Sequence, residues 1–284
     1  MSLVTLRELM ELYPGDFAIG AFNVHTMEDV QAVKAAAEAQ ESPVILQVGA
    51  AVASYAGMKW IATLCRLAAA EASVPVTVHL DHGRTLEVMR EALEAGFSSV
   101  MIDGSHLPFA ENVRLTRETV DLARRYGASV EGELGSIGGV EDDIESLEGR
   151  LTDPEQAAAF VEQTGVDALA VAIGNCHGLY KGPVRLDFDR LAAIRARVGA
   201  PLVLHGGSDI PDDLVRQAVA GGIRKFNIGT EVKLAFTGAI KEVIAAGGPS
   251  ADPRDLLGPA REAVRELARH KIQLFGSSGR VKKR

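Results

Sequence analysis

Short apolar segments alternate with longer amphipathic segments along almost all of the 284 residues, and this alternation is the feature that most constrains the fold. The apolar segments have the length of buried strands, and the amphipathic segments, rich in Ala, Glu and Arg, have the length of helices. Eight strands are predicted, at residues 17–22, 44–48, 76–80, 99–102, 129–133, 168–172, 202–204 and 225–228. Eight strand–helix units without a linker predict a (β/α)8 barrel, with residues 1–284 as a single domain.

The predicted helices follow the strands in turn, at residues 27–40, 57–72, 86–95, 108–126, 154–164, 187–198, 211–220 and 231–246. Thr26, Thr85 and Asp153 precede three of them and are residue types favoured at helix N-caps. A further helix, predicted at 253–275, forms an extension at the carboxyl terminus. The alternative is an open doubly wound sheet, but the sequence lacks the G-x-G-x-x-G turn that would favour it.

Composition narrows the classes of partner and the expected compartment. The formal net charge of −8 argues against a general nucleic-acid or acidic-membrane surface, so we expect neither partner. The sequence has no uninterrupted apolar run of about 18 residues, and its first residues lack the basic and apolar regions of a signal peptide. Two cysteines cannot form a disulfide framework, and a cytoplasmic location is expected.

Three histidines occupy the same place in the local pattern. His82, His177 and His205 each follow an apolar segment, and each is followed by glycine. A lone histidine is more often structural than a ligand. The carboxyl ends of parallel strands meet on one face, however, and three imidazoles there provide the protein ligands of a catalytic zinc with one open position. The pattern therefore predicts a metal site at that face.

Acidic residues follow the same strands. Asp81 precedes His82 and is placed to act as a general acid or base beside the metal. Asp103 ends the fourth strand and Glu133 the fifth. These two carboxylates are interpreted either as acceptors that orient the ligand imidazoles or as an alternative metal position. For Asp103 the competing interpretation is a helix N-cap.

Glycine-rich turns follow the last two strands. Residues 206–208 (Gly-Gly-Ser) follow the seventh strand, and residues 227–230 (Asn-Ile-Gly-Thr) end the eighth strand and open a helix. Backbone N–H groups at such a position bind phosphate, and barrels often bind phosphate after strands seven and eight. The one long irregular segment, 135–152, is interpreted as a glycine-hinged lid over the strand ends or as a solvated acidic loop.

Six ordered segments together resemble the class II, zinc-dependent ketose-bisphosphate aldolases, close to the fructose/tagatose-bisphosphate branch. They are residues 79–83 (His-Leu-Asp-His-Gly), 100–109, 131–135 (Glu-Gly-Glu-Leu-Gly), 173–180, 205–208 (His-Gly-Gly-Ser) and 227–230. The resemblance extends from residue 21 to residue 277. It implies a barrel enzyme that reversibly cleaves a ketose 1,6-bisphosphate into dihydroxyacetone phosphate and an aldehyde such as glyceraldehyde 3-phosphate.

The resemblance also implies roles for particular residues. His82, His177 and His205 would bind the zinc ion, Asp81 would exchange the proton of the C4 oxygen, and Glu141 would move the proton of the enediolate. Asp103 and Glu133 would line the buried side of the metal site. Contacts to dihydroxyacetone phosphate are implied for Gly178, Gly206, Gly207, Ser208, Asn227, Ile228, Gly229 and Thr230, and further phosphate contacts for Lys181 and Arg280.

Several alternatives stay open at this point. Family members are commonly dimers or tetramers, and some bind a monovalent cation near the phosphate, so both are expected here. The substrate is a fructose or tagatose bisphosphate, or another phosphorylated keto-sugar. A non-catalytic barrel subunit and a different metal-dependent lyase or isomerase are the competing classes. A Schiff-base mechanism would need a strand-buried lysine, for which Lys225 is the nearest candidate.

Overall fold

The computed structural model describes residues 2–141, 144–146, 149–248 and 252–281, with the backbone alone at 140–141 and 144–146. It contains eleven described strands: β1 (Ile19–Asn23), β2 (Val44–Gly49), β3 (Val76–Gly83), β4 (Ser99–Ile102), β5 (Ser129–Leu134), β6 (Gly138–Glu141), β7 (Ile144–Ser146), β8 (Ala168–Val171), β9 (Cys176–His177), β10 (Leu202–Leu204) and β11 (Ile223–Ile228). Eight of them form a closed parallel barrel in the order β1-β11-β10-β8-β5-β4-β3-β2. The predicted (β/α)8 barrel is confirmed. The first and last residues of each predicted strand differ from those of the observed barrel strand by at most three positions.

The helices are α1 (Leu6–Leu12), α2 (Met27–Ala39), α3 (Ala50–Ala56), α4 (Met58–Glu71), α5 (Leu86–Ala95), α6 (Phe109–Arg124), α7 (Pro154–Thr164), α8 (Phe188–Arg195), α9 (Asp212–Ala220), α10 (Thr230–Ala245) and α11 (Arg254–Leu274). Thr26, Thr85 and Asp153 cap α2, α5 and α7 through their side chains, as predicted. None of the described helices combines the length and the apolar character that crossing a bilayer requires.

Helices α1 and α3 are absent from the sequence prediction, and α1 shows why. Thr5 and Glu8 form a capping box at its start. Its buried face, Leu6, Leu9 and Met10, packs with the apolar side chains that fill the barrel interior, which come from β1, β2, β4, β8 and β10. With only seven residues, the helix is too short to give a clear periodic pattern, and this tertiary burial stabilises it.

The interior of the barrel changes character along its axis. The layer next to α1 is apolar, whereas buried polar side chains, including His79, Glu131 and Lys225, occupy positions on β3, β5 and β11. The outer, larger core lies between the strands and the surrounding helices. Buried charge inside the barrel is costly unless it is paired, so this polar layer indicates a functional site.

The segment predicted as one irregular loop, 135–152, contains two short strands. β6 pairs with β7 in antiparallel orientation and with β9 in parallel orientation, with Gly139 opposite His177. Gly139 has φ +105°, and a Cβ atom there would lie 2.1 Å from the carbonyl oxygen of His177. Glycine is therefore needed for this close pairing, which brings the start of the segment against a predicted metal ligand.

Candidate active site

Three histidines meet at the carboxyl end of the barrel. His82 is the second-last residue of β3, His177 ends β9, and His205 directly follows β10. Their ring centroids are 4.7 Å apart for His82 and His205, 5.2 Å for His82 and His177, and 5.9 Å for His177 and His205. One ring nitrogen of each lies within 4.8 Å of the others. The predicted convergence of these side chains is therefore present.

The backbone at His82 is held in an uncommon conformation. His82 has φ +50°, in the left-handed region that non-glycine residues rarely occupy. The next residue, Gly83, packs against α5, and a Cβ atom there would lie 1.9 Å from the Cε atom of Met89, so a larger residue would require that side chain to move. Strained backbone of this kind concentrates at functional sites, where the surrounding structure maintains it. Here it directs the imidazole into the cluster.

Carboxylates select which nitrogen of two rings faces the cluster. The Nδ1 atom of His82 lies 3.2 Å from Oδ2 of Asp103, and the Nε2 atom of His205 lies 2.8 Å from Oε1 of Glu131. An ionised carboxylate only accepts hydrogen bonds, so these two ring nitrogens carry the hydrogens. The remaining lone pairs belong to His82 Nε2 and His205 Nδ1, which lie 2.9 Å apart. Two such lone pairs facing each other repel unless a cation lies beside them, so the donor set fits a divalent metal ion.

Both orienting carboxylates are held in the charged form. Burial by itself would raise the pKa of Asp103, but hydrogen bonds from His82 and Ser105 lower that pKa well below its usual range. Burial would likewise raise the pKa of Glu131, and the Lys225 ammonium, followed by the His205 hydrogen bond, brings it well below the ordinary value. The Ser105 N–H and hydroxyl donate to Asp103 at 3.0 and 2.7 Å. Asp103 therefore stabilises a turn and a ligand ring, and the interpretation as a helix N-cap is wrong.

Glu131 is the centre of a buried charge network beneath His205. Its Oε2 atom lies 2.9 Å from Nζ of Lys225 and 3.7 Å from Nε2 of His79, and all of these side chains are 0 % exposed. Burial and the neighbouring Lys225 lower the pKa of His79 well below its usual value, so His79 is neutral. Its Nδ1 atom lies 2.8 Å from the Ser99 hydroxyl. Lys225 is thus an ion-paired, enclosed side chain rather than an accessible Schiff-base nucleophile.

Asp81 lies beside the histidines and is held by two amides. Its Oδ2 atom accepts hydrogen bonds from Nε2 of Gln47 at 2.9 Å and from Nδ2 of Asn23 at 3.2 Å. Its Oδ1 atom is 3.9 Å from Nε2 of His82, and the residue is 1 % exposed. Asn23 and Gln47 were not predicted as site residues. The signal in the sequence was a polar residue near the end of each of the first two apolar segments.

A sequence profile described as "Fructose-bisphosphate aldolase class-II" matches residues 5–280. A fructose-bisphosphate aldolase of Geobacillus stearothermophilus is 43% identical over 285 residues, covering 99% of both chains. The crystal structure of the YdjI aldolase from Escherichia coli K12 superposes with a TM-score of 0.88 at 39% identity, covering 99% of this chain and 100% of that one. For the fructose-bisphosphate aldolase of Campylobacter jejuni the values are 0.83 and 26%, with coverage of 98% and 97%.

This chain belongs to the class II fructose-bisphosphate aldolase family. The prediction of a ketose-bisphosphate aldolase, an aldehyde-lyase, is thereby confirmed, and the non-catalytic barrel subunit is not supported. The match extends over nearly the whole chain, as the ordered motifs indicated.

In this aldolase the loops after β8, β10 and β11 pack closely together. Gly206 has φ +62°, and a Cβ atom there would lie 2.0 Å from the carbonyl oxygen of Cys176. The N–H of Gly207 donates to the carbonyl of Asn227 at 3.0 Å, and the N–H of Glu231 donates to the Ser208 hydroxyl at 3.1 Å. The predicted phosphate contacts, Gly206, Gly207, Ser208, Asn227, Ile228, Gly229 and Thr230, thus lie on neighbouring loops at the start of α10.

Tyr180 connects the loop that carries His177 to the loop after His205. Its hydroxyl accepts from the N–H of Cys176 at 3.1 Å and donates to the carbonyl of Gly206 at 3.2 Å. Its own N–H donates to Oδ2 of Asp209 at 3.1 Å. Asp209 has φ +64°, a conformation in which glycine is common. The aldolase therefore fixes His177 and the glycine turn to each other through Tyr180.

The remaining predicted residues differ in where they lie. Gly178, φ +86°, directly follows His177, and Lys181 is exposed in the same loop. The backbone of Glu141 ends β6, but its side chain lies outside the described residues. The guanidinium of Arg280 stacks 4.6 Å from the ring centroid of Phe17, which precedes β1 at the opposite end of the barrel, so within one chain it lies apart from the other predicted phosphate contacts. Its Nε atom donates to the carbonyl of Gly276.

Asp103 and Glu133 belong to a second group of possible metal ligands. Together with His82 they form another group whose ligand atoms lie within 4.8 Å of one another. This group adjoins a cavity of about 310 Å³ whose lining also includes His177. The alternative metal position expected at these two carboxylates therefore shares a ligand, His82, with the histidine cluster.

Proposed function

We propose that this aldolase reversibly cleaves a ketose 1,6-bisphosphate, fructose or tagatose, into dihydroxyacetone phosphate and glyceraldehyde 3-phosphate, with one zinc ion held by His82, His177 and His205. The observation that carries the proposal is the 2.9 Å distance between His82 Nε2 and His205 Nδ1. The other nitrogen of each ring is already hydrogen-bonded to a carboxylate. The names of the related proteins support the substrate class.

When bound, the zinc ion supplies a Lewis acid that polarises the carbonyl group of the three-carbon phosphate. Asp81 acts at the hydroxyl oxygen on the far side of the bond that breaks: it accepts that proton during cleavage and returns it during synthesis. Gln47 and Asn23 hold one carboxylate oxygen of Asp81 by amide donors, which keeps the other oxygen on the side of His82. This fixed orientation is what a proton transfer at a defined atom requires.

The other roles follow the family pattern. Glu141 moves the proton on the three-carbon fragment, and the turns at Gly178, 206–208 and 227–230 contact its phosphate. Lys181 is a further candidate phosphate contact. Asp103 and Glu133 with His82 form an alternative position for the metal, and a monovalent cation beside the phosphate is part of the proposal. The helix that begins at Thr230 favours an anion near its first turn.

A homodimer or homotetramer, a cytoplasmic location and the extent of the domain, residues 1–284, stay predictions. Another phosphorylated keto-sugar is the alternative substrate, because the diastereomer preferred at C4 depends on how the aldehyde half is placed.

The test is a coupled assay for triose phosphate release, with fructose and tagatose 1,6-bisphosphates side by side. The protein is assayed as purified, after chelation, and after return of zinc. Cleavage of one or both sugars that is lost on chelation and restored by zinc is the expected result. Full activity after complete removal of metal would refute the zinc mechanism, and no cleavage of either sugar would refute the substrate class.

A further inference from the structure

The cavity next to the histidines has an uneven distribution of charge. Its metal end contains two carboxylates, Asp103 and Glu133, which form a common group with His82. Its other walls contain the hydroxyl residues Thr85, Ser105 and Ser136 and the apolar side chains of Val88 and Ile137. An anionic group on a substrate would be repelled from the metal end by the two carboxylates, so its position depends on where the cavity carries positive charge.

Arg84 is the one arginine or lysine among the described residues that line this cavity. It is separated from His82 by Gly83 alone, and Thr85 next to it caps α5, so its backbone is fixed between two ordered elements. The side chain is exposed, and within the described parts of the chain it has neither an ion pair nor a hydrogen bond. Its guanidinium is therefore available to a ligand.

We propose that Arg84 binds the anionic end of the aldehyde half of the substrate and makes this aldolase selective for phosphorylated over uncharged aldehydes. The inference deepens the proposed function and rests on it. A guanidinium presents parallel N–H donors that match two phosphate oxygens, which gives both attraction and orientation. Because Arg84 and His82 line the same cavity, a phosphate held at Arg84 leaves the aldehyde group of the same small molecule in the cavity that contains His82.

Arg84 also takes a place that Arg280 does not fill. Arg280 is stacked on Phe17 at the opposite end of the barrel of its own chain, whereas Arg84 lines the cavity that contains His82 and His177. The exposed imidazole of His106, on the loop after β4, lines the same cavity and adds a hydrogen-bonding group. Arg84 and His106 therefore place two groups that can bind an anion in this cavity.

The experiment measures synthesis from dihydroxyacetone phosphate with two acceptors, glyceraldehyde 3-phosphate and glyceraldehyde, using the zinc-loaded protein. The variants are Arg84→Gln, which removes the charge, Arg84→Lys, which keeps it without the planar fork, and Arg90→Gln as a matched control. Arg90 is an exposed residue of α5 that does not line the cavity, and its replacement changes the net charge by the same amount. Thermal unfolding of each variant is recorded with bound zinc.

For Arg84→Gln we expect kcat/KM for glyceraldehyde 3-phosphate to fall about 10- to 100-fold, the range for a lost charge-assisted hydrogen bond, while the value for glyceraldehyde changes by less than about twofold. Arg84→Lys should fall between the two, and Arg90→Gln should match the parent. An equal loss for both acceptors, or no loss for the phosphorylated one, overturns the role of Arg84. If the parent protein makes no product with either acceptor, the proposed function itself fails, and the role of Arg84 with it.

Discussion

The site has two regions that differ in how their charges are held. Beneath the histidines, Glu131, Lys225 and His79 are 0 % exposed and joined by contacts of 2.9 and 3.7 Å. At the cavity, Arg84 is the one arginine among the described lining residues. Its side chain is exposed and has no partner within the described residues. Buried charges that neutralise each other can fix the orientation of a ligand ring, and an unpaired exposed charge can select a ligand. We therefore propose that the buried region orients the metal ligands and that the exposed region selects the acceptor.

Lys225 and Arg84 differ in the same way, since one is buried and paired and the other is exposed. Lys225 reaches across the barrel, because β11 and β5 are separated by β10 and β8 in the order of strands. Removal of either partner would leave an uncompensated charge in the interior. Arg84 projects from the carboxyl end of β3, where water solvates it when no ligand is bound. Changes at the two positions should therefore have different kinds of consequence.

The largest effect is expected for Asp81→Ala. Loss of a positioned acid or base lowers turnover by about 10²- to 10⁴-fold, and the three histidines that would hold zinc are not altered. Cleavage rates and zinc content are measured on the same preparation. Turnover within tenfold of the parent at full zinc occupancy would show that Asp81 is not the acid/base.

Lys225→Met should mainly lower stability. It leaves the Glu131 carboxylate buried without its cation, which costs about 3–5 kcal/mol in the free energy of unfolding. Urea unfolding followed by circular dichroism measures this loss, with Arg90→Gln as the surface control. A loss below about 1 kcal/mol would mean that the pair contributes little and that water or another group compensates Glu131.

Glu141→Ala tests a residue whose backbone ends β6 and whose side chain lies outside the described part of the structure. We expect exchange of the proton on dihydroxyacetone phosphate with solvent to slow by about 10²-fold, the lower part of the range for acid–base groups, with less effect on binding of that compound. Exchange is followed by loss of the isotopic label. An unchanged exchange rate assigns the proton transfer to another group.

The smallest effect on stability is expected for the double variant Glu131→Gln with Lys225→Met. Both charges are removed together, so the destabilisation should be smaller than for Lys225→Met alone. A neutral amide is a weaker acceptor for the Nε2–H of His205, and zinc affinity should fall about 10- to 100-fold. Competition with a chromophoric chelator measures the affinity. If a stable double variant bound zinc as tightly as the parent, the buried network would have no role in zinc binding.

Much of the site could be predicted because its residues lie at the carboxyl ends of strands. In a parallel barrel every strand delivers its last residues to the same face, so His82 and His205, and the acids Asp81, Asp103 and Glu133, could be grouped without knowing the distances between them. A glycine next to one of these residues was equally informative, since Gly206 allows a close approach to the backbone of Cys176 that a Cβ atom would prevent. The two strands within residues 135–152 could not be predicted, because β6 forms by pairing with β9 and β7 by pairing with β6, rather than by an apolar pattern of their own.

The order of apolar and amphipathic segments, and the residue types at their ends, were enough to determine the barrel and the three converging histidines, because local periodicity and strand direction decide both. Only the tertiary structure decided that Lys225 contacts Glu131 across the interior and that Gln47 and Asn23 hold Asp81. It also decided that Arg280 stacks on Phe17, at the end of the barrel opposite the histidines. These contacts join residues far apart in sequence, and their geometry depends on which strands oppose each other and on how the last segment returns past β1.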